Sequence, residues 1–150
     1  MPPLTDPQLD AWRSLYSAFW RISASIESDL AEADLPSLSW YDALYQLYLA
    51  PERRLRMSEL AQAALLSRSG LTRLVDRLEK DGLIVRRSCS QDGRGQHAEL
   101  TPKGVEMLRK IWVVYRRGIE KRFAEPLSDA EMRQLSSIFG KLAAALREPD

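Results

Sequence analysis

Residues 67–85 read Ser67-Arg68-Ser69-Gly70-Leu71-Thr72-Arg73-Leu74-Val75-Asp76-Arg77-Leu78-Glu79-Lys80-Asp81-Gly82-Leu83-Ile84-Val85, an amphipathic helix followed by a stop and a strand. Leu71, Leu74, Val75 and Leu78 recur at i, i+3, i+4 and i+7, the spacing of one helical face. The opposite face collects Ser69, Thr72, Arg73, Asp76, Arg77 and Lys80, because each residue turns the helix by about 100°. Ser67 stands at a capping position, and Gly82 stands where a left-handed residue ends a helix. Leu83-Ile84-Val85 then predicts a short strand rich in β-branched residues.

On the N-terminal side, Ser58 caps a short helix from Glu59 to about Ala64, so two helices meet across a tight turn. On the C-terminal side, Ser88 to Gln96 is polar, carries Gly93 and Gly95, and predicts a hairpin tip. His97 to Leu100 returns as the partner strand. Two short helices followed by a hairpin form a winged helix-turn-helix pattern.

The chemistry of this unit points to nucleic acid. A helix entering the major groove needs one face to dock on its own domain and another to offer donors. Arg reads guanine O6 and N7 together, and Ser and Thr serve bases or phosphates. Ser67, Arg68, Ser69, Thr72, Arg73 and Arg77 are therefore the candidate recognition residues. Arg86 and Arg87 precede the hairpin tip Ser90-Gln91-Asp92-Gly93-Arg94-Gly95. An Arg on a narrow Gly-flanked tip reaches into a minor groove, and Asp92 is placed to hold the Arg94 guanidinium extended. Arg86, Arg87, Asp92 and Arg94 are the candidate wing contacts. Each feature alone has an ordinary reading, a solvated helix face or a polar turn; their succession favours DNA.

The flanking segments read as helices. Thr5-Asp6-Pro7 opens the first by a cap followed by Pro. Leu9, Trp12, Tyr16, Phe19, Ile26 and Leu30 give it a seam, and it ends before Pro36. A capping-box-like start at Ser39-Trp40-Tyr41-Asp42 predicts a second helix running to about Ala50-Pro51, with Leu44, Leu47 and Tyr48 inward. Thr101-Pro102 opens a fifth, with Val105, Leu108, Trp112, Tyr115 and Ile119 as its seam and Pro126 as its end. Ser128-Asp129-Ala130-Glu131 is a full capping box for a sixth. The expected fold is mainly α: a winged helix-turn-helix with flanking N- and C-terminal helices, in the order α-α-α-α-β-β-α-α. The long apolar seams of the first, fifth and last helices exceed what the winged unit can cover, so they predict pairing with a second copy.

Composition narrows the function classes. The chain has 150 residues, 45% hydrophobic and 29% charged, an ordinary globular balance. The net charge of +1 hides a gradient: −6 over residues 1–52, +5 over 53–94 and +2 over 95–150. One Cys and one His exclude a disulfide framework and a His/Cys zinc site. No apolar run approaches the ~18 residues of a membrane span, and the N-terminus lacks a signal-peptide pattern, so a cytoplasmic location is expected. No nucleophile–base pair, metal cluster or phosphate loop is visible, so neither catalysis nor a cofactor is expected.

Residues 58–104, from SELAQAALLSRSGLTRLVDRLEKDGLIVRR through SQDGRGQHAELTPKG, resemble the winged-helix core of the MarR (multiple antibiotic resistance regulator) family. The TRLVDRLEKDGLI stretch and the Asp-x-Arg wing before LTPKG are its specific parts; the outer helices match in pattern. The resemblance implies a homodimeric DNA-binding regulator, usually a repressor, often released by a small aromatic or phenolic ligand. It implies a helical dimerisation region at residues 1–35 with 102–150 and a DNA-binding domain at 36–101. Two departures stand out: Gly70 where Ser or Thr is frequent, and Gly95 after the wing Arg. Trp20, Arg21, Trp40 and Tyr45 are the candidate effector pocket, weighed against core packing, the commoner use of aromatics at helical spacing. Cys89, in the polar loop, and His97, at the wing base, are expected to be an unreactive thiol and a surface strand residue. The competing function is a winged-helix protein-interaction module that no longer binds DNA.

Overall fold

The computed structural model describes residues 3–64, 68–88 and 95–146, with the side chains of Arg68 and Ser69 outside the description. Six α-helices appear among them: α1 Asp6–Glu32, α2 Leu38–Leu49, α3 Met57–Ala63, α4 Arg68–Lys80, α5 Pro102–Ile119 and α6 Asp129–Ala145. Three strands, β1 Arg54–Arg56, β2 Ile84–Ser88 and β3 Gln96–Leu100, form an antiparallel sheet in the order β1-β3-β2. The mainly helical winged fold is thus present, with a third strand that the sequence reading lacks. β1 is three residues, Arg-Leu-Arg, with one apolar side chain, and it exists by pairing Leu55 with Ala98. So short a polar segment has no local strand signal.

The chain divides into two compact units, residues 27–115 and residues 1–26 with 116–150. In the larger unit the stripe read from α4 is the core. Leu71, Leu74, Val75 and Leu78 are buried, together with Leu44 and Leu47 of α2, Leu60 of α3 and Ile84 of β2. Each such side chain contributes about 1.5–3 kcal/mol by leaving water. α4 ends as its Gly demands. Gly82 sits at φ +72°, the Leu83 N–H donates to the Leu78 carbonyl (2.8 Å) and the Gly82 N–H to that of Glu79 (2.9 Å). Paired bonds of this kind close a helix when the next residue can turn left-handed.

The start of α5 grips the same corner. Thr101 Oγ1 donates to the Gly82 and Leu83 carbonyls (2.7 and 2.9 Å) and accepts from the Gly104 N–H (3.0 Å), and Lys103 Nζ donates to the Asp81 carbonyl (2.7 Å). The expected Thr-Pro start is therefore also a lock on the α4–β2 turn. At α6 the expected capping box is formed: the Ser128 N–H donates to Glu131 Oε2 (2.8 Å) and the Glu131 N–H to Ser128 Oγ (3.4 Å).

Three boundaries differ from expectation. α2 starts two residues early, with Ser37 at the N-cap position but its hydroxyl bonded to that of Ser39 (2.8 Å) and not to a helix N–H; its buried face is Tyr41, Ala43, Leu44 and Leu47, leaving Tyr48 40% exposed. α3 starts at Met57 instead of after a Ser58 cap, because Glu59 Oε2 accepts from the Arg56 N–H (2.8 Å). α5 continues into a π-helical turn at Glu120–Ala124 before Pro126. Between α2 and β1, Glu52 and Arg53 both hold positive φ, 53° and 55°. Residues with a Cβ adopt that region at a cost of roughly 1–2 kcal/mol each. The Arg53 guanidinium lies 5.2 Å from the Tyr48 ring centroid.

In the smaller unit, Gly118 of α5 admits α1 closely: a Cβ there would lie 2.6 Å from Ile26 Cγ1. Much of the aromatic seam of α1 is uncovered. Trp12, Tyr16, Phe19 and Trp20 are between 59% and 67% exposed, and α6 exposes Ile138, Phe139 and Leu142.

Candidate nucleic-acid interface

The geometry of α4 separates docking from display. With its apolar stripe buried, Thr72, Arg73, Asp76 and Arg77 face solvent. The first turn is Arg68-Ser69-Gly70, and no acidic residue stands in it. The positive end of the helix dipole is thus not offset there by a carboxylate. Ser67 lies outside the described residues, as do Asp92 and Arg94 of the wing tip and Cys89 beside it.

The two arginines that lead into the wing take different partners. Arg87 Nε donates to Glu99 Oε2 on β3 at 2.9 Å, and its side chain stays 70% exposed. Arg86 turns the other way. Its Nε donates to Glu79 Oε2 (2.8 Å), its backbone N–H to Glu79 Oε1 (3.1 Å) and its Nη2 to Asp76 Oδ1 (2.6 Å). Its side chain is 26% exposed. Hydrogen bonding to Glu79 first, and to Asp76 second, raises the Arg86 pKa; the same bonds to Arg86 lower that of Glu79. Two carboxylates of α4 therefore hold the first residue of the Arg86-Arg87 pair. Asp76, read from sequence as part of the display face, is half of that clamp.

Of the candidate effector residues, Trp20 and Arg21 belong to the smaller unit, Trp40 and Tyr45 to the larger. Tyr45 lines a cleft of about 300 Å³ whose other walls are Tyr41, Tyr48, Val105, Leu108, Arg109 and Trp112. Tyr41 stacks on Tyr45 (5.5 Å between centroids, 12° between planes) and on Trp112 (6.0 Å, 20°), and meets Tyr115 edge-on (5.0 Å). Burial pushes the Tyr41 hydroxyl up to about 12 and raises the neighbouring Asp42 and Tyr115 as well. The missed lining had a signal: Tyr41, Tyr45 and Tyr48 fall at i, i+4 and i+7, and Val105, Leu108, Arg109 and Trp112 at i, i+3, i+4 and i+7. Among the described residues no group of three His, Cys, Asp or Glu side chains could hold a metal, and no helix is long and apolar enough to cross a membrane.

Comparison with known proteins places this architecture. The sequence model of the MarR family matches residues 33–95. The transcriptional repressor MprA of Escherichia coli (strain K12) is 36% identical over 104 residues, 69% of this chain and 58% of that protein, so the match spans less than two thirds of the curated relative. Sco3205 from Streptomyces coelicolor, a MarR family transcriptional regulator solved in complex with DNA, is 31% identical with a TM-score of 0.89, over 100% of this chain and 94% of that one. AbsC from the same organism, also a MarR family transcriptional regulator, is 30% identical with a TM-score of 0.86, over 98% and 99%.

Proposed function

Because the chain belongs to the MarR family of transcriptional regulators, we propose that it is a sequence-specific DNA-binding repressor working as a homodimer. One observation carries the reading: Arg73 and Arg77 stand exposed on the outer face of a helix whose opposite face is wholly buried. The kinship with MprA, a repressor, and with Sco3205, crystallised on DNA, supports it. Thr72, Arg73 and Arg77, with Ser67, Arg68 and Ser69 ahead of them, read bases and phosphates in the major groove. Arg87, Asp92 and Arg94 serve the wing. Arg86 acts as a positioning residue, fixing the wing against α4 through Glu79 and Asp76.

The second copy covers the exposed aromatic seam of α1 and the apolar face of α6, with residues 1–35 and 102–150 as the dimerisation region and 36–101 as the DNA-binding domain. Uncovered aromatic rows of this size mark interaction surfaces. A two-fold axis sets the recognition helices about one DNA turn (~34 Å) apart, or a multiple of it, and so selects a pseudo-palindromic operator. The aromatic cleft of the larger unit takes a small planar ligand, with Arg109 meeting an acidic group on it; its volume is at the low end for ligand sites.

DNA-affinity sequencing with the purified protein tests the reading. An enriched inverted repeat is expected, and affinity for it falls steeply with salt as several phosphates are neutralised. Absence of any enriched sequence, with light scattering reporting a monomer at micromolar concentration, would sink it in favour of a protein-interaction module.

A further inference from the structure

The corner between α2 and β1 is built from two tight turns in succession. In the first, the Arg53 N–H donates to the Ala50 carbonyl (2.9 Å), with Pro51 second and Glu52 third at φ 53°, ψ 17°. The third position of a turn with this geometry suits Gly or Asn, because φ is positive there. In the second, the Arg54 N–H donates to the Pro51 carbonyl, and the middle residues are Glu52 and Arg53, both left-handed. Two consecutive positions thus call for residues that the chain does not place there. Strain of this kind persists only where neighbouring contacts impose it.

The contacts that impose it here are slight. The Glu52 carboxylate pairs with Arg54, but both side chains are more than half exposed, and such pairs contribute little. β1 begins at Arg54, lies on the edge of the sheet, is three residues long and half-buries only Leu55. The Arg53 guanidinium lies 5.2 Å from the centroid of the Tyr48 ring, a cation on an aromatic face. Tyr48 is also a wall of the aromatic cleft, with Tyr45, Arg109 and Trp112. One ring therefore serves both the cleft and the cation beside the strained turn. Rotation about φ of residue 53 redirects all that follows, beginning with Arg54 opposite Glu99 of β3.

We propose that Arg53 and Tyr48 form a latch between the cleft and the sheet: an aromatic acid that stacks on Tyr48 displaces the Arg53 guanidinium, the Glu52-Arg53 turn relaxes, and β1 loosens from β3. The proposal rests on the reading of the cleft as a site for a small planar ligand. It adds Arg53, which is outside the cleft lining, as a positioning residue.

Amide hydrogen exchange at residues 54–56, followed by NMR and referred to intrinsic rates, measures the opening of β1. Arg53→Gln should speed it by about two- to fivefold, the size of a cation–π contact at an exposed site. Arg53→Lys should exchange as the wild type does. Arg53→Asn should lie close to it, because Asn lacks the cation but tolerates positive φ. Wild-type exchange in Arg53→Gln would overturn the latch, and so would a rise in Arg53→Asn equal to that in Arg53→Gln. Benzoate, with acetate at the same ionic strength as control, tests the trigger. Calorimetry should report binding, and bound benzoate should speed wild-type exchange toward the Arg53→Gln value while leaving Arg53→Gln itself unchanged. Benzoate that binds without altering exchange would overturn the latch and leave the ligand reading of the cleft standing. Absence of benzoate binding would overturn that reading and the trigger with it.

Discussion

Arg86 of β2 is joined to Glu79 of α4 twice, once through its guanidinium at 2.8 Å and once through its own backbone N–H at 3.1 Å. A strand backbone and a helix side chain are thereby held in one register. The display helix and β2 are consequently tied to each other. The side-chain bond from Arg86, and then the backbone bond, lower the Glu79 pKa below the usual carboxylate range. A carboxylate lowered on folding stabilises the protein above its unfolded pKa, and that stability disappears as pH falls through the lowered folded value. Urea midpoints followed downward from neutral pH should fall less steeply for Glu79→Gln than for the wild type. Parallel acid limbs would show that the pair contributes nothing to stability.

Arg73→Ala should weaken binding to the selected operator by about 1–3 kcal/mol and relax preference at one base position, as loss of a bidentate guanine contact does. The fold should not respond, since Arg73 is exposed on the face away from the buried stripe. Competition between the operator and single-base variants measures both effects. An equal loss on every sequence would make Arg73 a phosphate contact instead.

What the sequence made legible tracks how local each signal is. α4 was readable because its periodicity, its exposed arginines and its Gly82 stop all lie within one short stretch. The Ser128 box and the Thr101-Pro102 start were readable for the same reason. β1 was not, because Leu55 becomes a strand residue only through Ala98, far along the chain. The ion pairs of Arg86 were not legible, because sequence shows its charge but not that Glu79 and Asp76 lie beside it. The turn at Glu52-Arg53 escaped because neither residue is the Gly or Asn that positive φ favours. The cleft escaped in part because core seams and pocket walls share one helical spacing: Trp112 was read as seam and lines the cleft.

Tyr41 supplies a test at the alkaline end. Its hydroxyl is raised to about 12, first by burial and then by Tyr45, Tyr115 and Asp42. The folded state therefore keeps a proton that the unfolded chain gives up near pH 10, with the tyrosine value of about 10 as reference. Stability from Tyr41 is fully present below that pH and is lost as pH climbs toward the folded value. Tyr41→Phe keeps the stacked ring and removes the titration. Its thermal midpoint should fall less between about pH 10 and 12 than that of the wild type. Identical alkaline limbs would mean that Tyr41 titrates as an exposed tyrosine does.

Gly104 sits in the first turn of α5, where Ala would ordinarily stabilise a helix by up to about 1 kcal/mol. Here the expected sign is reversed. A Cβ on residue 104 would run into the Leu83 carbonyl oxygen and lie 2.6 Å from Leu100 Cδ1. The first of these is backbone, and that carbonyl already accepts from the Thr101 N–H (3.0 Å) and from Thr101 Oγ1 (2.9 Å). It has no freedom to retreat without loosening the lock between α5 and the α4–β2 turn. Gly104→Ala should cost about 1–3 kcal/mol, as overpacking does. Because the displaced turn carries β2, operator affinity should also drop at temperatures where the variant is still folded. A chemical denaturation midpoint equal to or above wild type would show that α5 can shift along its axis, and that the close approach of Gly104 to Leu83 does not fix the wing.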